Sequence, residues 1–338
     1  MRILVTGAAG LVGFETLSQL RDLADVHVVG TSRPRSAAGT DLIAWDMTQE
    51  PAPPALRSQW DVIIHTAADT RWTLRPDAAT KGNVSTLEAL VPLTSPETHL
   101  VHVSTAYATG LCGTIASADV ADYRNTYEWS KAHAERRAHA LFPRLTIVRP
   151  PLIMGRRHDG CATRFAGMYT LLRGLTASMV PAVVASPDGF FEVIPVDDLA
   201  ELLIALAMGH HASGATFTIA SGERAPRVKD AVEFLTEALN AWRDARGCEP
   251  IQAPRLVTPE SWDRFFLPFV RDELTPRQLR ILDLLSNFQP YLAVDQPLTP
   301  THPVNDVAGA IAPSVQYWAD LHEHQASQPL RPWRAAAC

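Results

Sequence analysis

An α/β fold built on a doubly wound parallel sheet, followed by a smaller and mostly helical lobe, is what the sequence predicts, on three observations. Through the first half, short apolar runs alternate with stretches of helical spacing, the mark of strand-helix-strand units on a sheet buried on both faces. The first apolar run passes into a glycine-spaced segment, Val5-Thr6-Gly7-Ala8-Ala9-Gly10-Leu11-Val12-Gly13, that opens a helical pattern. After Pro150 and Pro151 that rhythm breaks. With 338 residues, 46% hydrophobic and 20% charged, the chain has enough apolar material for a full core in one large domain or two lobes.

The predicted strands are 3–6, 26–30, 41–45, 62–66, 99–104 and 145–149, and the helices between them are 11–23, 78–91 and 125–141. Beyond Pro151, a loop-like stretch carries Gly155, Gly160, Gly167 and Gly174. Its weakly polar part, 170–186, is interrupted by Arg173 and Pro181, is too short to span a bilayer, and reads as mobile or substrate-facing. A strand at 191–195, a helix at 196–208 with Asp197 and Asp198 in its first turn, and a strand at 216–220 follow. From Arg227 the pattern is mostly helical, with Thr275 and Pro276 as cap and first-turn residues ahead of Leu279, Ile281, Leu282 and Leu285. The Pro- and Ala-rich tail after Gln325 reads as a poorly ordered end. The expected division is a dinucleotide-binding domain of 1–150 plus about 191–222, and a substrate lobe of about 151–190 plus 223–338.

A net charge of −6 gives no field that attracts nucleic acid or an anionic membrane. Met1 to Thr6 run directly into a strand pattern instead of a charged and then apolar leader, so a cytoplasmic protein is expected. Cys112, Cys161, Cys248 and Cys338 are widely spaced with no histidine at ligand spacing, which predicts neither a metal site nor a disulfide.

Each glycine of the first turn has a steric task. Gly7 permits the sharp bend, Gly10 lets the backbone approach a pyrophosphate, and Gly13 lets helix and strand pack closely. The amides of Ala9, Leu11 and Val12 stand at the helix start, where a phosphate is stabilised. The choice of dinucleotide is made after the second strand, where an acid would hold the ribose of NAD. The sequence there is Thr31-Ser32-Arg33-Pro34-Arg35, with no acid. Arg33 can pair with a 2′-phosphate and Thr31 or Ser32 can donate to it, so NADP(H) is favoured. Asp46 and Met47 after the third strand are placed to meet the adenine. Thr66, Ala67 and Ala68 after the fourth are small where a cofactor must pass.

Tyr127 and Lys131 are four residues apart, on one face of a helix. A free phenol has a pKa near 10; a neighbouring ammonium and the positive ring of an oxidised nicotinamide would stabilise its anion and suit it to proton transfer. Tyr127 is then the general acid of a reduction and Lys131 also holds the nicotinamide ribose. Thr105 supplies a third hydroxyl with Ser104 as reserve, and spacing alone does not separate the two.

Residues 6–13, 65–68, Asn83, Ser104-Thr105, 127–131 and Arg149-Pro150 together resemble the extended short-chain dehydrogenase/reductase superfamily over about residues 1–220. The stretches 65–72, 101–107, 125–127 and 147–155 look like its branch of fatty acyl-CoA reductases and thioester reductase domains. The resemblance implies a Rossmann domain with a helical substrate lobe, and Thr105 or Ser104, Tyr127 and Lys131 as catalytic residues. It further implies Asn83 supporting the lysine region, with Pro150 near the nicotinamide. The implied activity is NADPH-dependent reduction of an acyl thioester, carried by CoA or a carrier protein, to the aldehyde; a second hydride would give the alcohol, and these residues do not say whether the reduction stops before it. The partner is a small-molecule acyl or carbonyl substrate. After Arg227 the likeness is loose, through 288–292 and 315–318. Ketone or hydroxysteroid-type dehydrogenases and nucleotide-sugar epimerases or dehydratases share the catalytic residues. Leu171, Leu172, Leu175, Met179 and Val180 suit a lipophilic chain, and equally suit packing of the lobe. A non-catalytic NADP-binding regulator would need neither the tyrosine nor the lysine.

Overall fold

A computed structural model describes residues 1–176, 182–209, 214–265, 268, 279 and 285–329. Met179, Val180, Thr275, Pro276, Ile281, Leu282 and the chain from 330 onward lie outside them. Strands run in chain order as β1 (Arg2–Thr6), β2 (His27–Ser32), β3 (Ile43–Ala44), β4 (Val62–His65), β5 (His99–Val103), β6 (Leu145–Arg149), β7 (Leu152–Met154), β8 (Ala182–Val184), β9 (Val193–Pro195), β10 (Thr216–Ala220), β11 (Arg255–Val257) and β12 (His302–Pro303). The chain divides into two compact units, the first comprising Met1–Pro151, Val196–Ile219 and Pro300–His302.

The first unit is organised by an eight-stranded sheet of order β12-β10-β6-β5-β4-β1-β2-β3. Its pairs β1/β2, β1/β4, β2/β3, β4/β5, β5/β6 and β6/β10 are parallel. All residues of β4 and β5 are buried, as a sheet covered on both faces requires. The order reverses between β1 and β4, so the turn after β1 and the segment after β4 meet at the carboxyl ends of the strands, where α/β sheets bind ligands. Helix α1 (Leu11–Arg21) follows β1, and a four-residue helix, α2 (Pro34–Ala37), follows β2. The third strand is shorter than predicted, two residues instead of five. The predicted helix 78–91 is two pieces, α3 (Pro76–Asn83) and α4 (Ser85–Glu88), parted at Val84. Just ahead of that break Gly82 packs against Asp69, where a Cβ would lie 2.7 Å away.

Helix α5 (Thr126–Leu141) starts where predicted, because Asn125 accepts a bond from the Glu128 amide and the Glu128 carboxylate accepts one from the Arg124 amide, a reciprocal cap. Its buried face is unusual for a helix on a sheet. Ala132, Ala134 and Ala138 share it with Ser130, Lys131 and Glu135. Glu135 is fully buried and takes a two-pronged ion pair from Arg149 of β6, at 2.9 and 2.5 Å. Beneath lies a core that includes Leu4, Trp45, Trp60, Ile63, Leu100, Phe142 and Ile147. Helix α6 (Met168–Thr176) comes next in the chain, and α7 (Val196–Ala207) packs on α1.

The second unit comprises Leu152–Pro195, Ala220–Thr299 and Pro303–Cys338. Here β7 pairs with β9 and β8 with β11 as two small parallel ribbons. The stretch predicted to be loop-like therefore holds two strands and a helix. The reading of 170–186 as mobile or substrate-facing is corrected for the residues of α6: Met168, Leu171, Leu172 and Leu175 repeat at helical spacing and are buried as packing. Helix α8 (Val228–Asp244) packs on α10 (Ile311–Leu321), with α9 (Pro259–Phe265) between them in sequence and α11 (Glu323–Ala326) beyond. A buried carboxylate, Glu192, accepts from the amides of Ser221 and Leu298 at 3.2 Å, and burial raises its pKa to about 7.

Substituting Glu135→Gln strands the Arg149 guanidinium in a site from which water is largely excluded. The expected loss of unfolding free energy is about 3 kcal/mol. Urea melts should show a lower midpoint at an unchanged slope, and an unchanged midpoint would refute the role given to this pair.

Candidate active site

Three segments meet at the carboxyl ends of the strands: the turn after β1, the segment after β4, and the end of β5 beneath α5. In the first, Gly7 adopts φ +70°, and a Cβ there would lie 2.7 Å from the Ala67 amide nitrogen. A Cβ on Gly13 would overlap the Gly7 carbonyl and lie 2.6 Å from Thr66 Oγ1. These two glycines are needed for the chain to pass itself. Gly10 differs, since a Cβ there would meet only the Gly7 carbonyl oxygen, at 3.1 Å. It is also the N-cap of α1, with no side chain to cap the helix and no acid in the first turn. Open space beside Gly10 and an uncapped helix start flanked by Ala9, Leu11 and Val12 fit a pyrophosphate.

Around this turn, Ser32 is buried at the end of β2, and Arg33 is exposed at the start of α2. Thr66 Oγ1 donates to the Thr6 carbonyl at 2.7 Å, pinning the segment after β4; Ala67 is half-buried and Ala68 exposed. The Asp46 carboxylate accepts from the amide and hydroxyl of Thr48. Met47, the neighbour expected at the adenine, is buried, with its side chain in the core cluster.

Lys131 reaches from α5 to the end of β5, where its Nζ donates to the Val103 carbonyl at 2.6 Å and lies 3.5 Å from Nε2 of His102. Ser104 and Thr105 follow directly and are buried; Thr105 Oγ1 accepts from the Tyr107 amide at 3.4 Å, and the Ser104 hydroxyl has no partner among the described residues. Pro150 is buried and its carbonyl accepts from the Ala106 amide, which ties the end of β6 to the same segment. Tyr127 lies one turn before Lys131. Asn83 holds Asp69 by two bonds and donates to Ser130 Oγ at 2.7 Å, so it braces the helix beside the lysine and does not touch the lysine itself.

The electrostatics depart from the sequence expectation at the phenol. Burial, and then the Glu128 charge, push the Tyr127 pKa above its ordinary value. Lys131 does not outweigh this, because its ammonium is directed at Val103 and His102. Burial brings Lys131 down to about 8, against an upward pull from Glu135. The chain's own groups thus keep the phenol protonated, and any lowering has to come from a bound cation.

Sequence reasoning missed a polar line under the site. Thr6 Oγ1 bonds His65 Nδ1 at 2.8 Å, the His65 ring stacks on His102 at 5.4 Å between centroids, and His102 faces Lys131. Burial holds both imidazoles neutral, His65 at about 3 and His102 well below its usual range. The only sequence signal is the histidines, one in the first and two in the second, of two strands otherwise made of Val, Ile and Leu.

The glycine geometry gives a paired test. Gly10→Ala should fold with stability within about 1 kcal/mol of the parent, yet lose the rise in melting temperature that NADPH or NADH gives. Gly13→Ala should lower the melting temperature even without cofactor. A Gly10→Ala protein that keeps the full dinucleotide shift would refute the pyrophosphate assignment.

Among the described residues, no helix is long and apolar enough to cross a membrane, and no cluster of three or more potential ligands could hold a metal. Residues 49–203 match the model of a family described as male sterility protein, an NAD-binding family. The fold is similar to the terminal R domain of the myxalamid PKS-NRPS biosynthetic pathway, 18% identical over 97% of this chain and 92% of that one, TM-score 0.68. It is similar to a thiolation-reductase di-domain of an archaeal non-ribosomal peptide synthetase, 15% identical over 96% and 76%, TM-score 0.64. It is also similar to the UDP-glucuronic acid 4-epimerase of Bacillus cereus in complex with NAD, 17% identical over 99% of both chains, TM-score 0.63. No curated protein sequence matches the chain. Residues 49–203 thus match an NAD-binding family, and the fold of the chain is that of these R-domain, thiolation-reductase and epimerase structures.

Proposed function

We propose that the chain is an NADPH-dependent reductase of an acyl thioester, carried by CoA or a carrier protein, and that it releases the aldehyde and the free thiol. The observation that carries this reading is the male sterility match over 49–203, because that stretch holds Asn83, Ser104, Thr105, Tyr127, Lys131 and Pro150 together. The likeness to the R domain and to the thiolation-reductase di-domain supports it. For NADPH the support is Arg33, exposed at the end of β2 with no acid from Thr31 to Arg35.

The turn Gly7 to Gly13, with the Ala9, Leu11 and Val12 amides, would hold the pyrophosphate, and Arg33 with Ser32 the 2′-phosphate. Asp46 would border the adenine, Thr66, Ala67 and Ala68 would leave room for the ribose, and Lys131 and Pro150 would flank the nicotinamide end. When bound, the cofactor supplies a hydride to the carbonyl carbon. Tyr127, kept protonated by its surroundings, gives its phenolic proton to the carbonyl oxygen as the C–H bond forms. Thr105 or Ser104 donates a hydrogen bond to that oxygen, and the Lys131 ammonium stabilises the phenolate left behind. The product of this step is a hemithioacetal. Its C–S bond then breaks, the hydroxyl proton passing to sulfur, which yields aldehyde and thiol. The second unit would serve as the substrate lobe.

The deciding experiment incubates the protein with NADPH and a panel of acyl-CoA, carrier-bound acyl, aldehyde, ketone and UDP-sugar substrates, following NADPH absorbance and free thiol together. Thioester reduction requires one thiol per first hydride, and Tyr127→Phe should bind NADPH yet lose turnover by about 100-fold or more. NADPH loss without thiol would point to a ketone or hydroxysteroid-type dehydrogenase. Interconversion of a UDP-sugar with no net NADPH loss would point to the epimerases that the fold also resembles. Separately, Arg33→Asp should invert the preference between NADPH and NADH in kcat/KM, and a preference unmoved by that change would refute the 2′-phosphate assignment.

A further inference from the structure

Strands β4 and β5 are made of Val, Ile and Leu except at His65, His99 and His102, and His65 and His102 are register partners. Both are essentially without exposure, at 1% and 0%. Each has one ring nitrogen with no partner among the described residues, Nε2 of His65 and Nδ1 of His102. A buried polar atom without a partner costs about 1–3 kcal/mol, so a Val or Ile would serve the core better at either position. What His102 makes instead is one contact, Nε2 to the Lys131 ammonium at 3.5 Å.

We propose that His102 is a positioning residue for Lys131: its neutral Nδ1–H tautomer turns the Nε2 lone pair to the ammonium and, with the Val103 carbonyl, keeps that lysine charged and aimed from beneath. An ammonium has three donors and no acceptor, so the nitrogen facing it must be the unprotonated one. The orphaned Nδ1 is then an N–H, which is the cost accepted for the contact. His65 backs the ring by stacking and is itself fixed by Thr6. A charged His102 would set two cations 3.5 Å apart, and enclosure by the sheet prevents this. The other titratable groups around Lys131 are Tyr127, Glu128 and Glu135 on its own helix, Glu128 accepting from the Arg124 amide and Glu135 engaged by Arg149 of β6, and His65 on β4 behind His102. The inference deepens the proposed function by explaining how one of its residues is held, and its test needs neither substrate nor cofactor.

The chain has three lysines, Lys81, Lys131 and Lys229. In protein labelled with 13C at the lysine ε-carbon, Lys131→Met identifies the Lys131 signal, and a pH titration followed by NMR should give it a midpoint near about 8. His102→Leu should move that midpoint down by about one pH unit, the scale of one lost hydrogen bond to a charged group. His102→Gln, whose side-chain oxygen can accept the same proton, should bring it back toward the parent value. A merely structural imidazole would leave the midpoint in place, and an unchanged value in a folded His102→Leu protein overturns the proposal. Should that variant fail to fold, the parent protein still decides: 15N-imidazole spectra at pH 7 must show His102 as the neutral Nδ1–H tautomer, and either an Nε2–H or a doubly protonated ring overturns it. If the lysine midpoint moves as expected but Lys131→Met reduces thioesters as well as the parent, the function is refuted while this coupling stands.

Discussion

Enclosing the Lys131 ammonium at the end of β5 is the constraint around which the first unit is built. A charge removed from water must be met by polar atoms in fixed positions, and the nearest, the Val103 carbonyl at 2.6 Å, is where the strand ends. Helix α5 must therefore be held at a set rotation and depth on the sheet. Polar ties do this along one face: Ser130 to Asn83, Lys131 to Val103, and Glu135 to Arg149. Together they fasten the helix to α3, β5 and β6. A purely apolar face would have allowed sliding by a fraction of a turn, because alanines at 132, 134 and 138 offer little shape to interlock.

The same logic separates what the sequence disclosed from what it hid. The alternation of apolar runs announced β1, β2, β4, β5, β6 and β10, and the glycine turn lies where the first strand gives way to a helix, because both are written in contiguous residues. Tyr127 and Lys131 were legible for the same reason, their relation being one helical turn. The partners of the site were not. Asn83 meets Ser130 across 47 positions, and Glu135 meets Arg149 across two elements, so no local pattern carries either pair. A lone histidine in a Val-rich strand has no period at all, and only register shows that His65 and His102 share a face. Burial at Met47 was equally hidden: its place after the third strand does not announce that its flexible side chain joins the core.

The second unit was less legible because its order rests on close passage more than on repetition. Its strands are three residues long, too short for an alternation to register. Its glycines read in sequence as punctuation of a loop, yet a Cβ on Gly155 would run into the Gly160 carbonyl and one on Gly160 into that of Pro313. These glycines mark places where two backbones touch, and the contact lies some 150 positions away for the second of them. Helix α6 shows how packing can be overlooked: its buried face is regular, but Arg173 and Gly174 interrupt it and weaken the helical signal.

How charge is apportioned around Lys131 bears on the direction of the chemistry. Glu135, one turn further along the helix, is satisfied by two bonds from Arg149, and the imidazoles beneath the lysine are neutral. A carboxylate paired directly with the ammonium would cancel its field at short range; here the atoms in contact with the positive charge are those of dipoles, a carbonyl and a ring nitrogen, and its field still extends to the next turn of the helix. Tyr127 sits on that turn, its phenol pushed up by burial and by Glu128. Under the proposed function, the resting phenol would be the proton donor that a reduction needs. Negative charge would develop on its oxygen only as the proton leaves, and the ammonium would then become favourable. Such an arrangement would strengthen with charge development and lower a barrier without trapping a phenolate.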